Sequence, residues 1–418
     1  MTPATAGAAY GALGLPLAFV ALPLYVVLPN HYAAQFGVPL AALGGVLLAV
    51  RGLDALVDPW IGRWVDALLG GAMGRVWGVL GLAALVLVAG LTGLFFPLAS
   101  VRGASSALLA WCGALLVATY LAYSVASVLH QTWGARLDGG DAAQARWVGW
   151  REGAALVGVV MASVLPSVAG FPAMVVVFAL ALGAALLALT RAPRPVPSSQ
   201  VAAPMSMAAP WRVVAFRRLV AVFLLNGIAS AVPATLVLFF VRDRIQAPAL
   251  EGAFLAAYFV AGAVSLPLWV RAVARWGLVR TWAAGMALAV VTFVGALALG
   301  AGDTGGFLAV CLTSGLALGA DLVVPGALLA AVVRRSGQGG AAEGAFFGWW
   351  NSATKLNLAL AAGLALPALQ WSGYTPGSQD AGALWSLSLA YAALPCVLKL
   401  LALGALWRLR RVLEGETP

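Results

Sequence analysis

The 418 residues are 63% hydrophobic and 9% charged, with a mean hydropathy of +0.98, which excludes a soluble chain of this length and indicates an integral membrane protein. The net charge of +10 does not indicate nucleic acid, because the basic residues stand singly between apolar runs and form no stripe with interleaved aromatics. Cys112, Cys311 and Cys396 all lie in apolar runs as small packing residues, implying neither a disulfide framework nor zinc, and without a GxxxxGK[ST] loop nothing points to an ATP-driven machine.

Apolar runs of about 20 residues, broken by Gly, Pro and charge, predict twelve helical spans. The first six cover 10–29, 40–65, 76–98, 105–133, 153–169 and 173–190; the second six cover 219–241, 253–270, 282–301, 307–333, 345–369 and 384–407. Between them the Pro-, Ser- and Ala-rich stretch 191–212 reads as a linker, which predicts a first bundle over 1–190, a second over 213–411 and a tail over 412–418. Arginines gather in the even-numbered connections and the C-terminus, whereas the odd-numbered connections hold only Arg102, Arg242 and Arg244. This asymmetry predicts that both termini and the linker are cytoplasmic. The two halves echo each other weakly: Gly62-Arg63-Trp64-Val65-Asp66 with Gly74-Arg75 after span two, and Trp269-Val270-Arg271 with Arg275-Trp276-Gly277 after span eight. Duplicated halves are the pattern of rocking-bundle transporters.

Span two concentrates the unusual chemistry. Arg51, Asp54 and Asp58 fall at i, i+3 and i+7, one face of a helix, near the middle of an otherwise apolar run. Each such group costs about 2.5–3.5 kcal/mol at bilayer depth, so the trio reads as an ion site. Two adjacent carboxylates should have their pKa values pushed apart, which suits reversible binding of a proton or cation. The bland alternative is a structural ion pair with Arg51. Lys355 stands mid-span and cannot snorkel, while Lys399 lies nearer the cytoplasmic end, where snorkelling accounts for it. Asn351 and Asn357 flank Lys355, and together with Tyr123 they are candidates for a solute cavity. His130 reads as a buried, hydrogen-bonded histidine more readily than as a proton relay. Arg63, Asp66 and Arg75 are read as a cytoplasmic gate network, and Pro16, Pro59, Pro233, Pro267 and Pro325 as sites of bends.

Arg51-x-x-Asp54-x-x-x-Asp58-Pro59-x-x-Gly62-x-x-x-Asp66 resembles the second-helix signature of the glycoside–pentoside–hexuronide:cation symporters, the melibiose-permease branch of the major facilitator superfamily. The resemblance continues at Trp150-Arg151-Glu152-Gly153, at Gly319-Ala320-Asp321-Leu322 with Pro325, and at Phe347-Gly348-Trp349 with Thr354-Lys355-Leu356. It implies an all-α fold of twelve transmembrane helices in two six-helix bundles around a central cavity. It also implies Asp54 and Asp58 as ligands of the coupling cation (as metal ligands only with Na+), Lys355 as their counter-ion, and Arg151 at the sugar site or inner gate. Gly62, Asp66 and Arg75 match the superfamily's gate motif. If Asp321 joins the cluster, three carboxylates against Arg51 and Lys355 leave room for one monovalent cation; alternatively Asp321 stabilises helix ten near Pro325.

The departures are informative. The family's sugar-binding aspartates of helices one and four are absent from Gly14-Leu15-Pro16-Leu17 and Ser124-Val125-Ala126-Ser127, which removes the main anchors for a galactoside. The asparagine that precedes the second aspartate in sodium-using members is Val57, which gives weight to H+ over Na+. The expectation is therefore H+- or Na+-coupled symport of a small organic solute, sugar-related by resemblance. A carrier of an amphipathic, lysolipid-like molecule and a non-transporting sensor are the alternatives. No GxSxG, HExxH or paired-histidine constellation suggests an enzyme. No cofactor or nucleic acid is expected, and the partners are the solute and the lipid bilayer around a monomer. Alanine-rich, arginine-over-lysine usage points to a bacterial inner membrane.

Overall fold

The computed structural model describes residues 2–137, 139–196 and 206–414; residues 197–205 of the expected linker and 415–418 of the expected tail lie outside them. The described residues are almost entirely helical. In chain order the long helices are α1 (Pro3–Phe36), α2 (Leu40–Leu69), α3 (Met73–Phe95) and α4 (Ser105–Ala135). A continuous run, Asp141–Leu189, follows, which Gly170 (φ 78°, ψ 173°) divides into α5 (141–169) and α6 (171–189). Then come α7 (Val214–Arg244), α8 (Pro248–Trp276), α9 (Leu278–Ala296), α10 (Thr304–Arg335), α11 (Glu343–Trp371) and α12 (Ala381–Glu414). Among the described residues, nine helices, counting Asp141–Leu189 as one, are long and apolar enough to cross a bilayer. The helices α2 and α11, of 30 and 29 residues, are the other long ones and carry Arg51, Asp54, Asp58 and Lys355. A helix satisfies its own backbone without water, which is why so apolar a chain takes this form.

Helix ends follow local chemistry. The α1 helix stops at Gly37, whose left-handed backbone (φ 63°) caps it by donating to the Tyr32 carbonyl. The helix before span five starts at Asp141, earlier than the apolar run predicts, because 141–152 is rich in good helix formers and its first-turn acid favours the helix N-terminus. Three π-turns interrupt the helices, at Pro23–Val27 in α1, Phe240–Arg244 in α7 and Leu389–Ala393 in α12. The last two meet, with Phe240 stacked on Tyr391 at 4.1 Å.

Two compact units divide the chain. The first comprises Met1–Asp138, Arg146–Met207 and Gly337–Ser352; within it α4 packs on α2 and α3, and Phe19 stacks on Phe178 in the core. The second comprises Gly139–Ala145, Ala208–Ser336 and Ala353–Pro418; within it α10 packs on α8 and α9, and α12 on α7 and α9.

In the first unit, α2 crosses the opening turns of α11 at backbone distance. A Cβ on Gly62 would strike the Gly344 carbonyl oxygen, one on Gly344 the Gly62 carbonyl, and one on Gly348 the Asp58 carbonyl oxygen at 2.5 Å. Small residues are how membrane helices approach so closely. Gly62→Ala should therefore destabilise the protein by about 1–3 kcal/mol through overpacking. Gly52→Ala on the same helix, where nothing lies within 4 Å, should melt like the unmodified protein. Thermal melts in detergent compare the two, and equal midpoints would refute the close crossing.

Candidate functional site

In the first unit, α2 delivers Arg51, Asp54 and Asp58 to a region lined by α1 and α4. Asp54 is 2% exposed and accepts a 2.8 Å hydrogen bond from Ser124 Oγ on α4. Ser124 stands in the helix-four segment that lacks the family's aspartate, so a neutral donor meets Asp54 there. Asp58 is fully buried one turn further on. Tyr123, half-buried beside Ser124, is close enough to Asp54, Asp58 and Glu152 to interact with all three charges. A pair of carboxylates with hydroxyl neighbours offers the oxygen donors that either a proton or a hard monovalent cation accepts.

Arg51 departs from the reading of a charge paired with Asp54 or Asp58. Its guanidinium lies 4.0 Å over the Tyr25 ring, and no ion pair of Arg51 occurs among the described residues. Tyr25 belongs to the π-turn of α1 and stacks on Tyr120 at 5.6 Å. Sharing a helix face with the aspartates does not bring Arg51 to them, because the aromatic wall from α1 holds the cation from the side.

The gate motif also takes a different form. Asp66 Oδ1 accepts from Arg136 Nη2 at 2.7 Å and from the Gly344 amide at 2.8 Å, and Oδ2 accepts from the Ala345 amide at 2.8 Å. Arg136 Nε donates to Glu343 Oε2 at 3.0 Å. Asp66 thus fills the amide-rich N-terminus of α11, where a carboxylate is favoured by the orphan N–H groups and the helix dipole. Arg75, the expected partner, and Arg63 are both exposed and make no ion pair with Asp66; the buried Arg136 takes that place. Gly62 serves the network by letting α2 lie against the same helix end.

The other candidates belong to both units. Arg151 donates through Nε and Nη2 to Glu152 Oε1 at 2.9 and 2.7 Å, so its charge is met by its neighbour. His130 is buried, with Nε2 2.8 Å from the Tyr10 carbonyl, while Tyr10 Oη donates to the His130 carbonyl, consistent with a structural histidine. Asn351 is half-buried in the first unit and Lys355 half-buried in the second. Asn357, 5% exposed, presses its amide onto Gly227 of α7, where a Cβ would push the amide aside.

The second unit holds a charge cage that sequence reasoning largely missed. Asp321 Oδ1 accepts from Asn226 Nδ2 (3.0 Å) and Trp282 Nε1 (2.9 Å); Oδ2 accepts from Ser230 Oγ (3.2 Å) and Lys399 Nζ (2.9 Å). Lys399 also donates to Asn226 Oδ1 at 2.8 Å. Lys399 is 3% exposed, which overturns the snorkelling explanation. Eight residues lie between it and Arg408, nine helical rises or about 13 Å, and that distance was the available signal against snorkelling. With Lys399 beside it, Asp321 carries a matched charge within the second unit.

The family described as MFS/sugar transport protein matches residues 5–410. No curated protein matches the sequence. Among solved structures, a bacterial homologue of the iron transporter ferroportin is 18% identical, with TM-score 0.68 over 96% of this chain and 99% of its own. The human organic anion transporter MFSD10 is 18% identical, with TM-score 0.67 over 97% and 100%. The E. coli fucose:proton symporter FucP is 14% identical, with TM-score 0.65 over 96% and 98%. At these identities the likeness establishes the fold.

Removing one member of a buried pair leaves the other charge uncompensated, at a cost of about 3–5 kcal/mol. Lys399→Met should lower thermal stability by that order, and the double variant Asp321→Asn/Lys399→Met should recover much of it. Failure of the second substitution to rescue the first would show that the two charges are not coupled.

Proposed function

The chain belongs to the MFS/sugar transport family of the major facilitator superfamily, and from that premise we propose that it is a secondary active transporter in which H+ or Na+ at Asp54 and Asp58 drives symport of a small organic solute by alternating access. It is a transporter rather than an enzyme. The observation that carries the coupling is the burial of two carboxylates on one face of one membrane helix, Asp54 at 2% and Asp58 at 0% exposure. Carboxylates at that depth are stabilised by being neutralised, and a group that must be neutralised is one that an ion can occupy and leave. A bound ion can favour one state of the carrier only through different affinities for the two, and the solute then feels the same bias.

Val57 next to Asp58 favours H+, and the neighbour FucP is itself described as a proton symporter. Lys355 is proposed as a counter-ion of the α2 carboxylates, in keeping with the family resemblance. Asp66, Arg136 and Glu343 are proposed as the cytoplasmic latch, whose bonds to the α11 N-terminus break when that side opens. A bacterial inner membrane, cytoplasmic termini and a monomeric carrier complete the reading. The solute is sugar-related by family; an amphipathic substrate is the second reading, supported by the lack of any acidic side chain in α1 and α4.

Proteoliposomes monitored with a pH-sensitive dye and screened with sugars, organic acids and lysolipids test this reading. A solute that triggers proton uptake in the unmodified protein should trigger none in Asp58→Asn. Flux only under a Na+ gradient would replace H+ by Na+, and no flux under either would refute the symporter reading in favour of a sensor.

A further inference from the structure

Two buried donors at this place, Arg51 Nε and Tyr120 Oη, have no acceptor among the described residues. Arg51 lies 11 residues into α2, about 17 Å from its start, so its charge is deep in the bilayer. Its Nε is buried and makes no hydrogen bond. Tyr120, 2% exposed, holds its hydroxyl beside Arg51, and no acceptor for that hydroxyl's proton occurs among the described residues. Both groups flank Tyr25, whose ring carries the guanidinium on one side and stacks on Tyr120. The π-turn at Pro23–Val27 sets this ring in place, with the Leu28 amide reaching back to the Pro23 carbonyl. π-turns recur at functional sites.

A guanidinium is donor-only, and an unpaired phenol hydroxyl beside it adds a further donor. Leaving such donors unsatisfied at depth is costly, whereas an oxyanion would accept from both and neutralise the arginine. We infer that Arg51, Tyr120 and Tyr25 form a subsite for an oxyanion, the carboxylate or phosphate of an anionic organic solute. The inference rests on the symporter reading for its coupling. An anion at Arg51 sits next to Asp54, and it is repelled until a cation or proton neutralises the α2 carboxylates. The solute and the coupling ion therefore promote each other's binding through charge alone. The titratable and charged groups facing this part of α2 are Tyr25 from α1, Cys112, Tyr120 and Tyr123 from α4, and Asp54 and Asp58 on α2 itself, with Glu152 from α5 reaching Tyr123.

The test uses the full chain in nanodiscs of zwitterionic lipid, titrated with acetate, glucuronate and inorganic phosphate against chloride at equal ionic strength, and read by the melting midpoint. A saturable oxyanion shift absent with chloride is expected. Tyr120→Phe should weaken it about tenfold, and Arg51→Gln should abolish saturation. Nanodiscs containing phosphatidylglycerol separate the sources: loss of the shift there makes a lipid phosphate the occupant, and its persistence makes a soluble solute the occupant. No saturable shift, or one equal in both variants and the unmodified protein, would overturn the subsite. A saturable shift whose midpoint concentration ignores both pH and Na+ would leave the subsite standing and remove the symport reading beneath it.

Discussion

A charge in the middle of a bilayer has no water to turn to, and the protein meets Asp54, Asp321 and Arg51 with donors or a ring from neighbouring helices. Asp321 shows the closed form of this solution. Four donors, from Asn226, Ser230, Trp282 and Lys399, take up its two oxygens, so the carboxylate is fully hydrogen-bonded and paired with a cation. Asp54 and Asp58 stand differently, on a helix shared with an arginine that turns to an aromatic ring instead of to them. A carboxylate saturated like Asp321 holds a bundle together.

Glycine carries the second constraint. The crossing of α2 with the first turns of α11 depends on Gly62, Gly344 and Gly348, each meeting backbone where a Cβ would collide. That proximity places Asp66 against the free amides of Gly344 and Ala345, a site that a carboxylate on a more distant helix could not reach. The network of Asp66, Arg136 and Glu343 is thus a product of packing first and of charge second. The same close approach brings the Asp58 backbone against Gly348 of the helix that bears Asn351, so Asp58 and Asp66 both meet the opening turns of α11 along one continuous element.

Much of this was legible in the chain. Apolar run lengths marked out the helices, because span length is set by bilayer thickness, and the Arg51/Asp54/Asp58 spacing located the charged face by helical periodicity alone. Partnership across helices was not legible, because it depends on which faces meet. Arg51 shares a face with the aspartates yet rests on Tyr25, Arg136 replaces Arg75 at Asp66, and Lys399 binds an aspartate 78 residues away rather than reaching for the interface. The start of α5 at Asp141 was hidden for another reason: hydropathy marks where a helix enters lipid, and helix propensity carries it beyond.

The central claim is that Asp54 and Asp58 carry the coupling ion, and charge movement tests it most directly. Purified protein adsorbed on a solid-supported membrane reports the current that a solute jump produces. The account predicts a solute-triggered current that depends on H+ or Na+ and vanishes in Asp54→Asn and in Asp58→Asn, with solute binding retained in at least one of them. A current of unchanged size in both variants would contradict it and move the coupling site elsewhere in the chain.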